Sequence, residues 1–211
     1  MIENVGPEAR SDRVGIFGGT FDPVHEGHMQ VAEYAQRTLR LARLILVPAA
    51  RPWMKEKDVV ASGADRLRML ELTIQDRPAM EVSGVDLDRE GLSYSVDTVG
   101  DIKTNLPTST ELFFLAGVDA LIDFHKWREP ERLLEQCTVV AIGRPGQDST
   151  SLDRRMVCLA GPGIALSGTE IRGRLALGLS VQGLVPNGAM QHIRNNRLYG
   201  LKHRKIEGRR A

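Results

Sequence analysis

The chain has 211 residues, and 42% of them are hydrophobic, which is enough apolar material for the core of one domain. It contains 28 Lys and Arg residues against 27 Asp and Glu residues, so the formal net charge is +1. This balance counts against an electrostatic nucleic-acid binder, whose domain usually has a pI above about 9, and against a disordered chain, which combines low hydrophobicity with high net charge.

Short apolar runs alternate along the chain with longer amphipathic segments. In chain order, the predicted elements are a strand at Val14–Phe17, a helix at Met29–Leu41, a strand at Leu44–Val47, a helix that begins at Ser62, a strand at Met80–Ser83, a helix at Ser95–Leu106, a strand at Glu111–Gly117, a helix at Glu129–Gln136, strands at Thr138–Ile142 and Val157–Leu159, and helices at Ser167–Leu177 and Asn187–Arg197. Strands that are apolar throughout are typical of a parallel sheet covered on both faces. We therefore predict an α/β fold with a doubly wound parallel sheet and a small C-terminal helical extension, and a ligand beyond the carboxyl ends of the strands.

The cysteines and the apolar runs predict a protein of the cytoplasm. Cys137 and Cys158 each stand in an apolar run, which predicts two reduced thiols in the core. No stretch of the sequence approaches the ~18 apolar residues of a membrane span, and Met1–Arg13 has no apolar signal core. The domain boundaries that we predict are a flexible N-terminus over 1–12, a single domain over 13–200 and a charged, disordered tail over 201–211.

The most informative segment runs from Gly18 to His28 and reads Gly-Gly-Thr-Phe-Asp-Pro-Val-His-Glu-Gly-His. Two glycines directly after a strand let the backbone approach an anion closely with its N–H groups. His25 and His28 flank the start of the next helix, whose positive end faces the same place. Imidazoles there are good donors to phosphate oxygens and gain positive charge readily. The segment therefore predicts a phosphate-binding site.

Other interpretations of this segment fit less well. It has neither the spacing of a P-loop nor that of the dinucleotide-binding glycine fingerprint. A zinc pair at His-x-x-His spacing is an alternative, but neither cysteine lies near a histidine in the sequence. Two unrelated surface histidines would leave the glycines and the strand-to-helix position unexplained.

The same eleven residues resemble the G-G-[ST]-F-[DN]-P-x-H-x-G-H signature of the HxGH nucleotidyltransferases, and they are most similar to it as found in the bacterial nicotinate mononucleotide adenylyltransferases. Further matches follow in the family's order over nearly the whole chain. Ser93–Thr98 resembles the family's S-Y-T-x-D-T, Phe114–Asp119 its strand-end G-x-D, Trp127–Pro130 its W-R-x-P, Leu166–Arg172 its I-S-S-T-x-I-R, and Leu184–Pro186 with Ile193 and Leu198–Tyr199 its closing L-V-P…Y-I…L-Y. The resemblance implies a Rossmann-like nucleotidyltransferase fold.

The resemblance also implies a reaction in NAD biosynthesis. The AMP moiety of ATP is joined to nicotinate mononucleotide, giving nicotinate adenine dinucleotide and pyrophosphate, by in-line attack of the mononucleotide phosphate on the α-phosphorus of ATP. That phosphate is already an anion, so positioning and charge stabilisation suffice for catalysis. Mg²⁺ is expected mainly on the ATP phosphates, without a protein metal site. We expect these small molecules as partners, no nucleic acid and no membrane, and a homo-oligomer stays open.

The resemblance assigns the site residues in three sets. The catalytic set is His25, His28, Lys55 and Arg172. The ATP-binding set is Gly18, Gly19, Thr20, Phe21, His25, His28, Gly117, Asp119, Ser167, Thr169 and Arg172. The acceptor-binding set is Lys55, Tyr94, Ser95, Thr98 and Trp127, with the indole stacked on the pyridine ring.

Taken without the resemblance, three of these residues have ordinary structural interpretations. Ser167 and Asp119 can each be a helix N-cap, and Trp127 can be a core anchor. The chain also departs from the family pattern. Pro52-Trp53-Met54-Lys55 stands where many relatives have Pro-Pro-His-Lys, and Gly168 replaces the usual second Ser of the I-S-S-T segment. The segment 51–63 is predicted to be a mobile cover of the site.

Alternative functions remain open from the residues alone. The same chemistry could act on nicotinamide mononucleotide or on a phosphopantetheine acceptor, although Trp127 and Ser93–Thr98 favour a pyridine nucleotide. A non-catalytic nucleotide sensor is an alternative of a different class. Such a sensor would be expected to lose a phosphate-contacting His or Arg. This chain retains His25, His28, Lys55 and Arg172.

Overall fold

A computed structural model describes residues 10–51, 59–143, 147–148, 150–163 and 166–200 of the chain. Its centre is a sheet with the described strands β1 (Arg10–Gly19), β2 (Leu41–Pro48), β3 (Met80–Val82), β4 (Glu111–Gly117), β5 (Thr138–Gly143) and β6 (Val157–Ala160). Their order is β3-β2-β1-β4-β5-β6, and neighbouring strands are parallel. This is the doubly wound order, which confirms the predicted fold class and places the switch point between β1 and β4.

Helices connect the strands and follow the last one. The described α-helices are α1 (Glu26–Leu39), α2 (Gly63–Ile74), α3 (Ser95–Thr104), α4 (Val118–Leu121), α5 (Pro130–Gln136), α6 (Gly168–Ala176) and α7 (Asn187–Asn195), with 3-10 turns at Phe124–Lys126 and Leu198–Gly200. Every predicted helix is present, with small shifts at its ends. The sequence did not predict α4 or the 3-10 turns, because three or four residues are too few to show a periodicity.

The strands direct alternate side chains into two apolar layers. On β1, Phe17 packs in a layer with α1, α2, α6 and α7, whereas Val14 and Ile16 pack in a layer with α3, α4 and α5. On β4, Leu115 and Phe114 divide between the layers in the same way. Helices therefore cover both faces of the sheet, and the predicted C-terminal extension, α6 and α7, shares the layer of α1 and α2.

The two cysteines have different environments. Cys137 is buried just before β5, and this burial raises the pKa of its thiol to about 12. Cys158 is exposed on β6, so the prediction of a core thiol is wrong for this residue. The reason is the position of β6 at the edge of the sheet, where Val157 next to it is also exposed.

The described part of the chain starts with the first strand. β1 begins at Arg10, before the predicted start of that strand, and continues to the glycines. The segments 1–9 and 201–211 lie outside the described residues. Among the described helices, none has both the length and the apolar character that crossing a bilayer requires.

Candidate active site

A cavity of about 550 Å³ opens at the switch point, over the carboxyl ends of β1 and β4. The first turns of α1 and α6 form two of its walls. The predicted site residues that line it are Gly18, Gly19, Thr20, Phe21, His25, His28, Ser95, Thr98, Gly117, Asp119, Trp127, Ser167, Thr169 and Arg172. Residues from distant parts of the sequence thus surround one space of the size typical for small-molecule sites.

The two remaining predicted site residues are Lys55 and Tyr94. Lys55 lies outside the described residues, as do its neighbours Pro52–Met54 and most of the predicted cover. Tyr94 is the N-cap of α3, and the guanidinium of Arg128 lies over its ring at 4.8 Å from the centroid. The acceptor roles of Lys55 and Tyr94 stay predictions.

The two histidines of the cavity form one unit at the start of α1. Their rings are stacked, with centroids 3.6 Å apart and an interplanar angle of 21°. The backbone N–H of His28 donates to Nδ1 of His25 (3.3 Å), and the N–H of His25 donates to Nδ1 of His28 (3.2 Å). This is a reciprocal capping box built from imidazoles. Gly27 between them makes room for the stack, since a Cβ there would lie 3.1 Å from Nδ1 of His25.

The capping box determines what the imidazoles can do. Because both Nδ1 atoms accept hydrogen bonds, each neutral ring carries its hydrogen on Nε2 and can donate from there. His25 is buried, and this burial lowers its pKa to about 4. His25 is therefore neutral at pH 7, and the expectation that it readily gains positive charge is wrong. Its contribution to an anion site is a fixed N–H donor.

A second wall is formed by the first turn of α6. Ser167 is the N-cap, and its Oγ accepts from the N–H of Glu170 (3.2 Å), so the structural interpretation of this residue is correct and leaves it in the cavity lining. Arg172 donates from Nη1 to the carbonyl oxygen of Asp22 (2.7 Å) and from Nη2 to Oγ1 of Thr169 (3.3 Å). The guanidinium of Arg172 thereby joins α6 to the loop after β1, at the edge of the cavity.

Gly168 lies at a close contact between the start of α6 and the loop after β1. A Cβ on this residue would lie 2.9 Å from the carbonyl oxygen of Asp22 and 3.2 Å from Nη1 of Arg172. The absence of a side chain lets the start of α6 approach the loop after β1 closely. The glycine that replaces the second Ser of the motif therefore fits the close packing at this position.

Asp119 and Trp127 lie on the β4 side of the cavity. The strand passes directly into α4, so the N-cap is Gly117, and the interpretation of Asp119 as an N-cap is wrong. The indole of Trp127 packs against Phe124 and Phe114, with ring centroids 5.5 and 6.2 Å away, and its Nε1 donates to the carbonyl of Ala120. Trp127 is therefore anchored in the core and also lines the cavity.

Known proteins share the sequence pattern and the fold of this chain. A family model described as cytidylyltransferase-like matches residues 16–174, from within β1 into α6. The chain belongs to the cytidylyltransferase-like family. A relative from Clavibacter michiganensis subsp. michiganensis, named nicotinate-nucleotide adenylyltransferase, is 38% identical over 198 residues, which are 92% of this chain and 96% of the relative. A relative of the same name from Thermus thermophilus is 42% identical over 187 residues, 89% of this chain and 99% of the relative.

A solved structure shows the same fold at a lower identity. The Plasmodium falciparum nicotinic acid mononucleotide adenylyltransferase complexed with NaAD superposes with a TM-score of 0.75, covers 90% of this chain and 98% of its own, and is 18% identical. The resemblance inferred from the motifs is therefore confirmed, both by the names of the relatives and by the fold.

Sequence motifs did not point to one buried carboxyl in the cavity lining of this cytidylyltransferase-like chain. Asp86 lines the cavity and is 5% exposed. It accepts from Oγ1 of Thr98 (2.6 Å) and from Nη1 of Arg89 (3.2 Å). Burial raises the pKa of Asp86 even though these donors oppose the rise. The available sequence signal was weak: a carboxylate three residues before Arg89 and shortly before the Ser93 motif.

The sequence also missed Arg66, which is 1% exposed in α2. Its guanidinium donates to the carbonyl oxygens of Thr20 (2.8 Å), Ala49 (2.7 Å) and Ala50 (3.3 Å), and its Nε donates to that of Ala61 (3.3 Å). One cation thus holds together the loops after β1 and β2 and the chain before α2. Arginine is seldom fully buried, so sequence reasoning gives no reason to place it there.

Within the described ranges, no three His, Cys, Asp or Glu side chains come close enough together to hold a metal ion. The carboxylate oxygens of Asp22 are engaged by the N–H groups of Val60 and Ala61 and by the hydroxyl of Tyr199. Asp119 accepts a hydrogen bond from Gln147. The carboxylates that line the cavity are therefore already used by protein donors.

Proposed function

We propose that this chain is a nicotinate-nucleotide adenylyltransferase, which transfers the adenylyl group of ATP to nicotinate mononucleotide in NAD biosynthesis. The observation that carries the proposal is the stacked pair of His25 and His28 at the start of α1, inside the switch-point cavity. The relatives named above share this activity in their names and align along nearly their whole length with the chain.

The bonds of the reaction balance without a base. An oxygen of the mononucleotide phosphate forms a bond to the α-phosphorus of ATP, and the bond from that phosphorus to the oxygen that bridges to the β-phosphorus breaks. The acceptor oxygen is already ionised at neutral pH, so no proton has to leave it. Catalysis then depends on alignment and on donors that stabilise charge on the phosphoryl oxygens.

The described residues supply such donors. His25 and His28 donate through their Nε2 hydrogens, Arg172 adds a permanent cation, and the start of α6 adds peptide N–H groups near Thr169. We assign further residues to the same ATP-binding site, namely Gly18, Gly19, Thr20, Phe21, Gly117, Asp119 and Ser167. Lys55 is proposed as a further phosphate donor on the strength of the motif alone.

The acceptor is assigned to the side of Trp127, Ser95 and Thr98, with Tyr94 and Lys55 next to it. An aromatic face beside backbone N–H groups suits a pyridine ring that carries a carboxylate. Because the carboxylates lining the cavity are already hydrogen bonded, we place Mg²⁺ mainly on the ATP phosphates, where the ion would neutralise negative charge. We also propose a location in the cytoplasm without a membrane partner. The near-neutral composition supports the proposal that the chain does not bind nucleic acid.

One assay tests this function. The purified full chain is mixed with ATP, Mg²⁺ and, in separate reactions, nicotinate mononucleotide, nicotinamide mononucleotide or phosphopantetheine, and pyrophosphate release is measured. We expect the fastest release with nicotinate mononucleotide. Pyrophosphate release with only one of the other acceptors would show that the acceptor is that compound and not nicotinate mononucleotide. ATP binding without any pyrophosphate release would indicate a nucleotide sensor.

The same assay with His28→Ala tests the role of the histidine pair. We expect kcat to fall by at least about 100-fold, because a preorganised donor at the phosphates is lost. His125→Ala, at an exposed histidine of the 3-10 turn, is the matched control and should keep wild-type turnover. Near-wild-type turnover of His28→Ala would refute the phosphate role.

A further inference from the structure

A buried tyrosine connects the last 3-10 turn to the candidate active site. The hydroxyl of Tyr199 donates to Oδ1 of Asp22 at 2.7 Å. The two residues are 7% and 3% exposed. Burial, followed by the hydrogen bond to Asp22, raises the pKa of the Tyr199 phenol far above its ordinary value, so the hydroxyl remains a donor at neutral pH.

The backbone of Tyr199 is unusual for an aromatic residue. It lies in the left-handed region, with φ 60° and ψ 29°. Such conformations persist where the surroundings determine them strongly, and they concentrate at functional sites. The side chain is part of the apolar layer that contains α1, α2, α6 and α7.

Asp22 connects Tyr199 to the wall of the cavity through further hydrogen bonds. Its carboxylate also accepts from the N–H of Val60 (2.7 Å) and from the N–H of Ala61 (3.1 Å). Its carbonyl oxygen accepts from Nη1 of Arg172 (2.7 Å), and the same Nη1 is 3.9 Å from the carboxylate Oδ2. A shift of Asp22 would therefore move the partner that holds the Arg172 guanidinium at the edge of the cavity.

We propose that Tyr199 is a positioning residue for ATP, which fixes Asp22 and through it the guanidinium of Arg172. This inference rests on the proposed function insofar as Arg172 contacts the triphosphate. The 3-10 turn at Leu198–Gly200 is then a part of the nucleotide site, although Tyr199 itself does not line the cavity. The substrate that depends on Tyr199 is ATP and not the acceptor.

The test uses Tyr199→Phe in the full chain, which removes one oxygen and keeps the ring. We expect the Kd for ATP with Mg²⁺, measured by isothermal titration calorimetry, to rise about tenfold, as for the loss of a hydrogen bond to a charged group. The kcat/KM for ATP should fall by a similar factor, while the KM for nicotinate mononucleotide stays at the wild-type value. Tyr34→Phe on α1, away from the cavity lining, is the matched control and should leave every value unchanged.

The decisive readout is a double-mutant cycle with Arg172→Ala. If Tyr199 acts through Arg172, adding Tyr199→Phe to Arg172→Ala changes the Kd for ATP by less than about twofold. An equal loss in both backgrounds, or no loss in either, would overturn the proposal. If Tyr199→Phe does not fold, as judged by circular dichroism, Asp22→Asn weakens the same pair and is placed in the same cycle, with the same expected dependence on Arg172.

The calorimetric measurement needs no acceptor, so it separates this inference from the proposed function. ATP binding that depends on Tyr199, without turnover of nicotinate mononucleotide, would support the positioning role and contradict the proposed acceptor. Turnover of nicotinate mononucleotide by a Tyr199→Phe variant with wild-type constants for ATP would support the proposed function and contradict the positioning role.

Discussion

The chemistry of the cavity depends on the burial of single residues. His25 is 6% exposed, and its low pKa makes it a neutral donor, whereas a histidine in solution would be partly charged near neutral pH. The permanent positive charge among the described lining residues belongs to Arg172. A buried neutral donor is already oriented before substrate binds, which is the property that stabilises charge on a transferring phosphoryl group.

The low pKa of His25 predicts a pH dependence of stability. Its pKa is about 6.5 in the unfolded chain and about 4 in the folded one, so between these values the unfolded state binds the additional proton. The stability due to a neutral His25 is thus complete above about pH 6.5 and is lost as the pH falls toward about 4, with a maximum of about 3 kcal/mol. Urea titrations from pH 7 to pH 4 measure this loss.

The matched comparison for this prediction is His25→Asn, since asparagine is a good N-cap and does not titrate. Other ionisable groups also affect how stability depends on pH, among them Asp86, whose raised pKa acts in the opposite direction. These groups are present in both proteins, so their effect cancels in the difference. A difference in unfolding free energy that does not change with pH would contradict a depressed pKa of His25.

At the scale of secondary structure elements, the start of α6 shows why the chain has a glycine at position 168. We expect Gly168→Ser to lower the free energy of unfolding by about 1–3 kcal/mol, because the added Cβ would lie 2.9 Å from the carbonyl of Asp22 and the backbone must shift. The same shift should weaken ATP binding, since Arg172 donates to that carbonyl. Chemical denaturation and ATP titration measure the two effects.

Gly173→Ala on the same helix is the control for this prediction. A Cβ there meets nothing within 4 Å, so the change should stabilise the protein by up to about 1 kcal/mol through helix propensity. If Gly168→Ser were as stable as the wild type and bound ATP equally well, the close approach of α6 to the loop after β1 would not be needed.

At the scale of the whole molecule, Arg66 connects segments that are distant in sequence. We expect Arg66→Met to lower the free energy of unfolding by about 3 kcal/mol or more, because buried carbonyl oxygens in several loops lose their donor. Arg68→Met on the same helix, where Arg68 is exposed and paired with Glu71, should change it by less than about 1 kcal/mol. Similar losses for both variants in urea denaturation would contradict the role of Arg66.

The sequence predicted most of the fold because local patterns specify it. The apolar runs of β1, β2, β4 and β5 marked buried parallel strands, and the alternation with amphipathic helices led to the doubly wound sheet. The exposure of Cys158 could not be predicted, because strand order decides which strand lies at an edge. The uninterrupted passage from β4 to α4 was likewise invisible to periodicity, and with it the N-cap at Gly117.

The sequence by itself determined the family, the glycine and histidine segment after β1 and a part of the cavity lining, because contiguous motifs specify them. Only the tertiary structure decided the neutral state of His25, the engagement of Asp22 by Tyr199, and the burial of Arg66 and Asp86. Each of these depends on desolvation or on a hydrogen bond between residues far apart in the chain. Desolvation and such long-range hydrogen bonds arise only when the chain is folded, so a local sequence pattern does not predict them.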